Sequence, residues 1–84
     1  MAYKLIYTKT AFHDIQKLDS VAKKRIKKKL EELSKNPIAL SKKLISSSLG
    51  TYRFRVGNYR IIFDMDKQNI VILRVGHRRE IYKK

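Results

Sequence analysis

The sequence has no cysteine, no tryptophan, one proline and three glycines, and only seven of its 84 residues are acidic. The absence of cysteine excludes disulfides and thiolate catalysis and fits a reducing compartment. The two histidines, His13 and His77, lie far apart in the chain, so we predict no metal site and no cofactor. No apolar run approaches the roughly 18 residues of a spanning helix. We therefore predict a cytoplasmic protein with no membrane partner.

The composition is dominated by positively charged residues. Twenty-one lysines and arginines give a formal charge of +14. A charge of this size favours attraction to nucleic acid or to an acidic protein. A chain of this length forms one domain, over residues 1–84, and leaves little room for a deep internal cavity. We expect an open surface to carry the function.

A β-hairpin is predicted between Thr51 and Phe63, where aromatic and aliphatic residues alternate with arginines. With Gly57-Asn58 as a two-residue turn, cross-strand partners share a face of the sheet. One face is then apolar, and the other carries Arg53, Arg55 and Arg60. The turn places Arg55 directly opposite Arg60, and two guanidinium groups about 6 Å apart repel by roughly 1 to 3 kcal/mol. A bound polyanion would remove that repulsion, so the hairpin predicts a phosphate-binding surface.

The remaining pattern predicts an α+β fold. Tyr3 to Tyr7 has the composition of a first strand, and a first amphipathic helix follows, capped by Thr8 or Thr10 and running to about Lys17. Asp19-Ser20 separates it from a second helix, Val21 to Ser34, which Asn36-Pro37 ends. Ile38 to Gly50 is interpreted as a connector. The order β-α-α-β-β-β predicts two N-terminal helices packed on one face of a small, mostly antiparallel four-stranded sheet.

The last predicted strand, Ile70 to Val75, is a nearly continuous apolar run. Paired with Tyr59 to Met65, it would place Val71, Leu73 and Val75 on the same face as the arginines. That face would then be partly apolar, and a partner helix would fit it as well as RNA does.

An arginine cluster with a nearby tyrosine and histidine matches the needs of RNA cleavage. RNA supplies its own nucleophile, the 2′-hydroxyl next to the scissile phosphate, so the protein has to orient the strand, stabilise phosphoryl charge and move protons. Arginine orients and stabilises but is too basic to transfer protons. Tyr82 and His77 are the candidates for the base. Guanidinium groups lower the pKa of a neighbouring phenol and favour a neutral imidazole.

Other interpretations remain open for each of these residues. Tyr82 would also suit a terminal aromatic packed on the sheet, and His77 a loop histidine bonded to backbone. The hairpin arginines would also suit ion pairs with acids such as Asp64, Asp66 or Glu80. Arg74 and Arg79 suit phosphate or solvent equally well.

The chain resembles the RelE/ParE superfamily of toxins from type II toxin-antitoxin systems. The segments that carry the resemblance are Leu49-Gly50, Tyr52 to Phe63 and Val75 to Tyr82, and the last of them is similar to the RelE branch in particular. The resemblance implies a ribosome-dependent endoribonuclease that cleaves A-site mRNA and inhibits translation. Its implied partners are a cognate antitoxin and the ribosome with its mRNA, and operator DNA only through the antitoxin complex.

The resemblance also implies roles for individual residues. Arg60, Arg78 and Tyr82 would be catalytic, and Arg53, Arg55 and His77 would bind substrate. Some family members carry lysine at the positions of Arg53 and Arg55, where it could act as the base, a role that arginine cannot take. An alternative is noncatalytic inhibition of DNA gyrase, as in ParE toxins. A further alternative is a basic module that only binds nucleic acid.

Overall fold

The computed structural model describes residues 3–44 and 50–81. Within these residues there are nine elements: β1 (Lys4–Tyr7), α1 (Lys9–Gln16), α2 (Ser20–Lys35), α3 (Pro37–Leu40), β2 (Lys42–Lys43), β3 (Tyr52–Val56), β4 (Tyr59–Asp66), β5 (Asn69–His77) and α4 (Arg78–Ile81). The predicted α+β class is confirmed, and so are both N-terminal helices.

In the described part of the chain the sheet has five strands rather than the predicted four, in the spatial order β1, β5, β4, β3, β2. Every pairing is antiparallel except that of β1 with β5. The additional strand is β2, whose two residues lie within the segment that the sequence analysis interpreted as a connector. Two residues are too few for an alternating pattern, so the prediction of four strands was wrong for this edge.

Side-chain caps begin both long helices. The Thr8 hydroxyl accepts a hydrogen bond from the backbone N–H of Ala11 at 3.1 Å, and the Asp19 carboxylate accepts one from Ala22 at 2.7 Å. Each cap satisfies a donor that has no partner within its own helix. The second helix ends at Lys35, one residue beyond the predicted Ser34, and Asn36 caps it immediately before Pro37.

The hydrophobic core lies between the helices and one face of the sheet. Ala11 on α1 and Ile26 and Leu30 on α2 are at most 1% exposed and pack in one cluster with the apolar side chains of the hairpin. The hairpin and β5 contribute seven buried residues to that cluster: Phe54, Val56, Ile61, Phe63, Ile70, Ile72 and Val75. The arginines of the hairpin therefore belong to the opposite face.

The hairpin has the predicted register. Val56 is opposite Tyr59, Phe54 opposite Ile61 and Arg55 opposite Arg60. Gly57 has a φ of 59°, the left-handed conformation that the first position of a type II′ turn requires. A Cβ at this position would also lie 2.7 Å from a guanidinium nitrogen of Arg25.

A register shift between β4 and β5 changes the predicted composition of the arginine-bearing face. Ile62 is opposite Arg74 and Phe63 is opposite Ile72, so Leu73 is an extra residue on β5. Val75 is consequently opposite Ile61 and packs in the core. The prediction for Val75 was wrong because strict alternation cannot reveal a bulge.

Candidate nucleic-acid interface

The sheet face opposite the core carries the three predicted hairpin arginines. We call Arg53, Arg55 and Arg60 the arginine face. Arg53 is opposite Ile62 and Arg55 is opposite Arg60, so the side chains share one side of the sheet. Three permanent cations on two neighbouring strands form a surface suited to phosphate groups.

Arg60 is the most enclosed member, with 7% of its surface exposed. Its Nη1 donates hydrogen bonds to the carbonyl oxygens of Gly57 and Tyr59, both at 3.1 Å. The guanidinium therefore turns back toward the hairpin turn and is held there. A fixed cation requires little reorganisation when negative charge develops beside it, which is the property that transition-state stabilisation needs.

Arg55 is exposed, whereas Arg53 is half-buried. Within residues 3–44 and 50–81, Arg55 forms no ion pair with any of the acids considered above. One of those acids, Asp64, accepts a hydrogen bond from the backbone N–H of Thr51 at 2.7 Å. Arg55 is thus available to an external anion.

The chain after β5 returns to the same end of the sheet. The backbone N–H of Arg78 donates to the carbonyl oxygen of Asn58 at 2.8 Å, and Gly76 lies opposite Arg60. This brings the backbones of Arg55, Arg60 and Arg78 together beside the hairpin turn. Arg78 begins α4, a short helix that the sequence analysis did not predict. Tyr82, the proposed base, lies outside the described residues.

His77 packs edge-on against Tyr59, with a ring-centroid distance of 5.9 Å and an interplanar angle of 77°. Its Nδ1 accepts a hydrogen bond from the backbone N–H of Arg79 at 3.3 Å. A neutral imidazole that accepts at Nδ1 carries its proton on Nε2. In this arrangement His77 is suited to donate a hydrogen bond to a phosphate, and it would have to lose the Arg79 contact to act as a base.

Arg74 belongs to a different cluster. Its Nε donates to the Asp14 carboxylate at 2.8 Å, and the same carboxylate accepts from the backbone N–H of Val75 at 3.0 Å. The hydrogen bond with Asp14 raises the pKa of Arg74 above its usual value. From sequence, Arg74 suited phosphate and solvent equally well; in the structure it has an internal partner, Asp14 on α1.

Sequence reasoning missed one cation beside the arginine face. Lys42 on the edge strand β2 is opposite Arg53, so it lies on the same side of the sheet as the arginine face. Its neighbour Lys43 is opposite Tyr52 and faces the other way. Only the pairing with β3 distinguishes these two lysines, because the sequence presents them as an undifferentiated pair.

The chain is similar to toxins of known type over nearly its whole length. Residues 5–82 match the model of the family described as the ParE toxin of the type II toxin-antitoxin system parDE. The chain belongs to the RelE/ParE toxin family. It is 37% identical over 83 residues to Toxin RelE3 of Methanocaldococcus jannaschii, with 94% of each chain covered. It is 33% identical over 87 residues to Toxin RelG of Mycobacterium tuberculosis, with both chains fully covered.

Solved structures place this toxin in the RelE branch by fold. The RelBE2 toxin-antitoxin complex of Mycobacterium tuberculosis superposes with a TM-score of 0.85 at 32% identity, covering 93% of this chain and all of the other. The RelB-RelE complex of Methanococcus jannaschii has a TM-score of 0.74 at 35% identity, covering 93% of this chain and 95% of the other. The predicted family is therefore confirmed.

Two further features of the toxin concern only residues 3–44 and 50–81. No helix there is long and apolar enough to cross a membrane. No group of three or more histidine, aspartate or glutamate side chains there is arranged to hold a metal ion.

Proposed function

We propose that the toxin is a ribosome-dependent mRNA endonuclease that cuts mRNA in the ribosomal A site and so stops translation. The observation that carries the proposal is the clustering of Arg55, Arg60 and the Arg78 backbone beside the hairpin turn, on a face with an exposed cation. The similarity to RelE toxins over the whole chain supports the same activity.

The proposed reaction uses the nucleophile that RNA carries. The 2′-hydroxyl attacks the adjacent phosphorus, the 5′-oxygen leaves, and the strand ends in a 2′,3′-cyclic phosphate and a 5′-hydroxyl. Because the attacking and leaving groups both belong to the RNA, the reaction needs proton transfer and charge stabilisation from the protein and no metal ion.

Each predicted site residue takes one part of this reaction. Arg60 and Arg78 stabilise the charge that accumulates on the phosphoryl oxygens, and Arg53 and Arg55 orient the strand by contacts with its phosphates. His77 donates a hydrogen bond from Nε2. Tyr82 accepts the proton from the 2′-hydroxyl, and the leaving 5′-oxygen takes a proton from water to become the 5′-hydroxyl.

The proposed partners follow from the proposed activity and from the relatives. A cytoplasmic location gives access to ribosomes. The structures of relatives are of toxins held by antitoxins, so we propose a cognate antitoxin for this toxin, and contact with operator DNA only through that complex. A partner that neutralises a charge of +14 would itself carry negative charge.

A second function, noncatalytic inhibition of DNA gyrase, is favoured by one observation. The family model that matches residues 5–82 is described as a ParE toxin. The two functions predict different targets, so one pair of assays separates them.

The deciding experiment incubates purified toxin with ribosomes that hold mRNA in the A site, and in parallel with gyrase and relaxed plasmid. We expect cut mRNA and unimpaired supercoiling. Arg78→Ala and Tyr82→Phe should each reduce the cleavage rate by at least about 100-fold, the range for loss of one transition-state or proton-transfer group. Intact mRNA with blocked supercoiling would select the gyrase function instead. Intact mRNA together with normal supercoiling would refute both.

A further inference from the structure

A cleft of about 340 Å³ opens beside the arginine face, at the edge of the sheet formed by β2. It lies between the end of α3 and the strands β2 and β3, and its lining residues are Ala39, Leu40, Ser41, Lys42, Arg53 and Arg55. The cleft is of the size that small ligands occupy. None of the catalytic roles proposed above uses its helix side.

The charge of the cleft favours a phosphate group. Lys42 and Arg55 are both exposed, and Arg53 lies between them. No acidic side chain is among the lining residues. The two exposed cations, Lys42 and Arg55, attract a phosphodiester, and an exposed lysine can follow the phosphate as a mobile point charge.

The opposite wall of the cleft suits the sugar and base of a nucleotide. Leu40 is 47% exposed and offers an apolar surface next to Ala39. The Ser41 hydroxyl oxygen is buried and has no hydrogen-bond partner within the described part of the chain. A buried hydroxyl without a hydrogen-bond partner is destabilising. Rotation about χ1 to face the cleft would let a polar group of a ligand remove that cost.

The cleft is close to the proposed cleavage site. Lys42 is two strands away from Arg60 across the sheet and two residues further along it. With strands about 4.8 Å apart and about 3.3 Å per residue, the two backbones are about 12 Å apart. An extended RNA strand that crosses the arginine face from the hairpin turn toward β2 therefore reaches the cleft within a short distance of the scissile linkage.

We infer that this cleft binds a nucleotide of the mRNA that flanks the cleavage site, with its phosphodiester on Lys42 and Arg55 and its sugar and base against Leu40 and Ser41. The inference rests on the proposed function, because it assigns a second contact to the same substrate. It makes Lys42 and Ser41 substrate-binding residues and gives the strand a path across the sheet.

The two residues of β2 supply a matched pair of variants for the test. Lys42→Ala and Lys43→Ala remove the same charge from adjacent positions, but only Lys42 shares the arginine face. We expect Lys42→Ala to raise KM for ribosome-bound mRNA about twofold to fivefold, the value of one exposed ion pair, with kcat unchanged. The slope of log KM against log salt should fall by about 0.7, as for one lost phosphate contact on a single strand. Lys43→Ala should change neither quantity.

Neutral methylphosphonates at single linkages of the mRNA locate the contact. At one linkage that flanks the cleavage site, the substitution should raise KM for the wild type and leave the Lys42→Ala variant unaffected. Ser41→Ala should raise KM without changing the salt slope and without lowering the melting temperature, since it removes a hydroxyl that has no partner in the described structure.

The outcomes separate this inference from the proposed function. Wild-type toxin that cleaves mRNA while Lys42→Ala and Lys43→Ala behave alike would overturn the inference and leave the function standing. A Lys42→Ala defect that no neutralised linkage removes would assign Lys42 to ribosomal RNA and would also overturn it. Failure of the wild type to cleave would refute the function itself.

Discussion

Arg55→Gln should stabilise the toxin and weaken its activity at the same time. Arg55 lies directly opposite Arg60, and Arg60 is held in place by the carbonyls of Gly57 and Tyr59. For guanidinium groups about 6 Å apart the repulsion is roughly 1 to 3 kcal/mol, and we take the low end, about 1 kcal/mol, because Arg55 is exposed to solvent. For a domain of this length that free energy corresponds to a rise in melting temperature of about 4 to 8 °C.

The assay is thermal unfolding followed by circular dichroism at low and high salt, with Lys43→Gln as the control. Lys43→Gln removes the same unit of charge from a net charge of +14, but Lys43 is opposite Tyr52 and not opposite a cation. The rise in melting temperature of Arg55→Gln above that of Lys43→Gln measures the repulsion between Arg55 and Arg60. It should largely disappear near 1 M salt, where the screening length is about 3 Å.

The reasoning is refuted if Arg55→Gln melts at or below the temperature of the Lys43→Gln control at low salt. The second half of the prediction is a loss of mRNA cleavage in Arg55→Gln. A variant that gains stability and keeps full activity would show that the opposed arginines do not serve substrate binding.

Three further predictions concern other parts of the fold. Asp14→Ala should lower the free energy of unfolding by about 1.5 to 3 kcal/mol in thermal unfolding, because the Val75 N–H loses a charged acceptor. Arg74→Ala should lower it by less, because the Arg74 guanidinium is partly solvated. Gly57→Ala should lower the free energy of unfolding by at least about 1 kcal/mol in chemical denaturation, because a φ of 59° strains any residue with a side chain. An equal loss in a control variant with alanine placed far from the turn would contradict this. Tyr7 is 43% exposed, and its partial burial, with a smaller contribution from Glu31, raises the pKa of its phenol above the ordinary value. The stability that depends on the protonated phenol is therefore complete below about pH 10 and is lost as pH rises through the folded-state pKa. The free energy of unfolding, measured from about pH 9 upward, should fall less steeply for Tyr7→Phe than for the wild type.

Local chemistry made much of the fold predictable from the sequence. Strict alternation around Gly57-Asn58 determined the hairpin register, because a one-residue slip would have turned every arginine into the core. The side chains of Thr8 and Asp19 marked the starts of both helices, and Asn36-Pro37 marked the end of the second. Each of these signals depends on a few neighbouring residues, so the sequence alone was sufficient to predict these elements.

The features that sequence could not reveal depend on distant or very short segments. The Asp14–Arg74 pair joins residues 60 positions apart, and the bulge at Leu73 depends on how β5 fits against β4. The strand β2 has two residues, too few for a periodic pattern, so the distinct position of Lys42 was not predictable. In the candidate site, the three hairpin arginines were predictable from alternation, whereas the enclosure of Arg60 results from backbone carbonyls at the turn.

The chemistry of the cut ends tests the central proposal most directly. In the proposed reaction the 2′-hydroxyl of the mRNA is the nucleophile, and guanidinium groups orient the strand and stabilise the charge on the phosphoryl oxygens. Mass spectrometry of mRNA cut by the toxin on ribosomes should find 2′,3′-cyclic phosphate and 5′-hydroxyl ends, and a 2′-O-methyl group at the cleavage site should prevent the cut. Ends with 3′-hydroxyl and 5′-phosphate, or cleavage that survives the 2′-O-methyl group, would contradict the account.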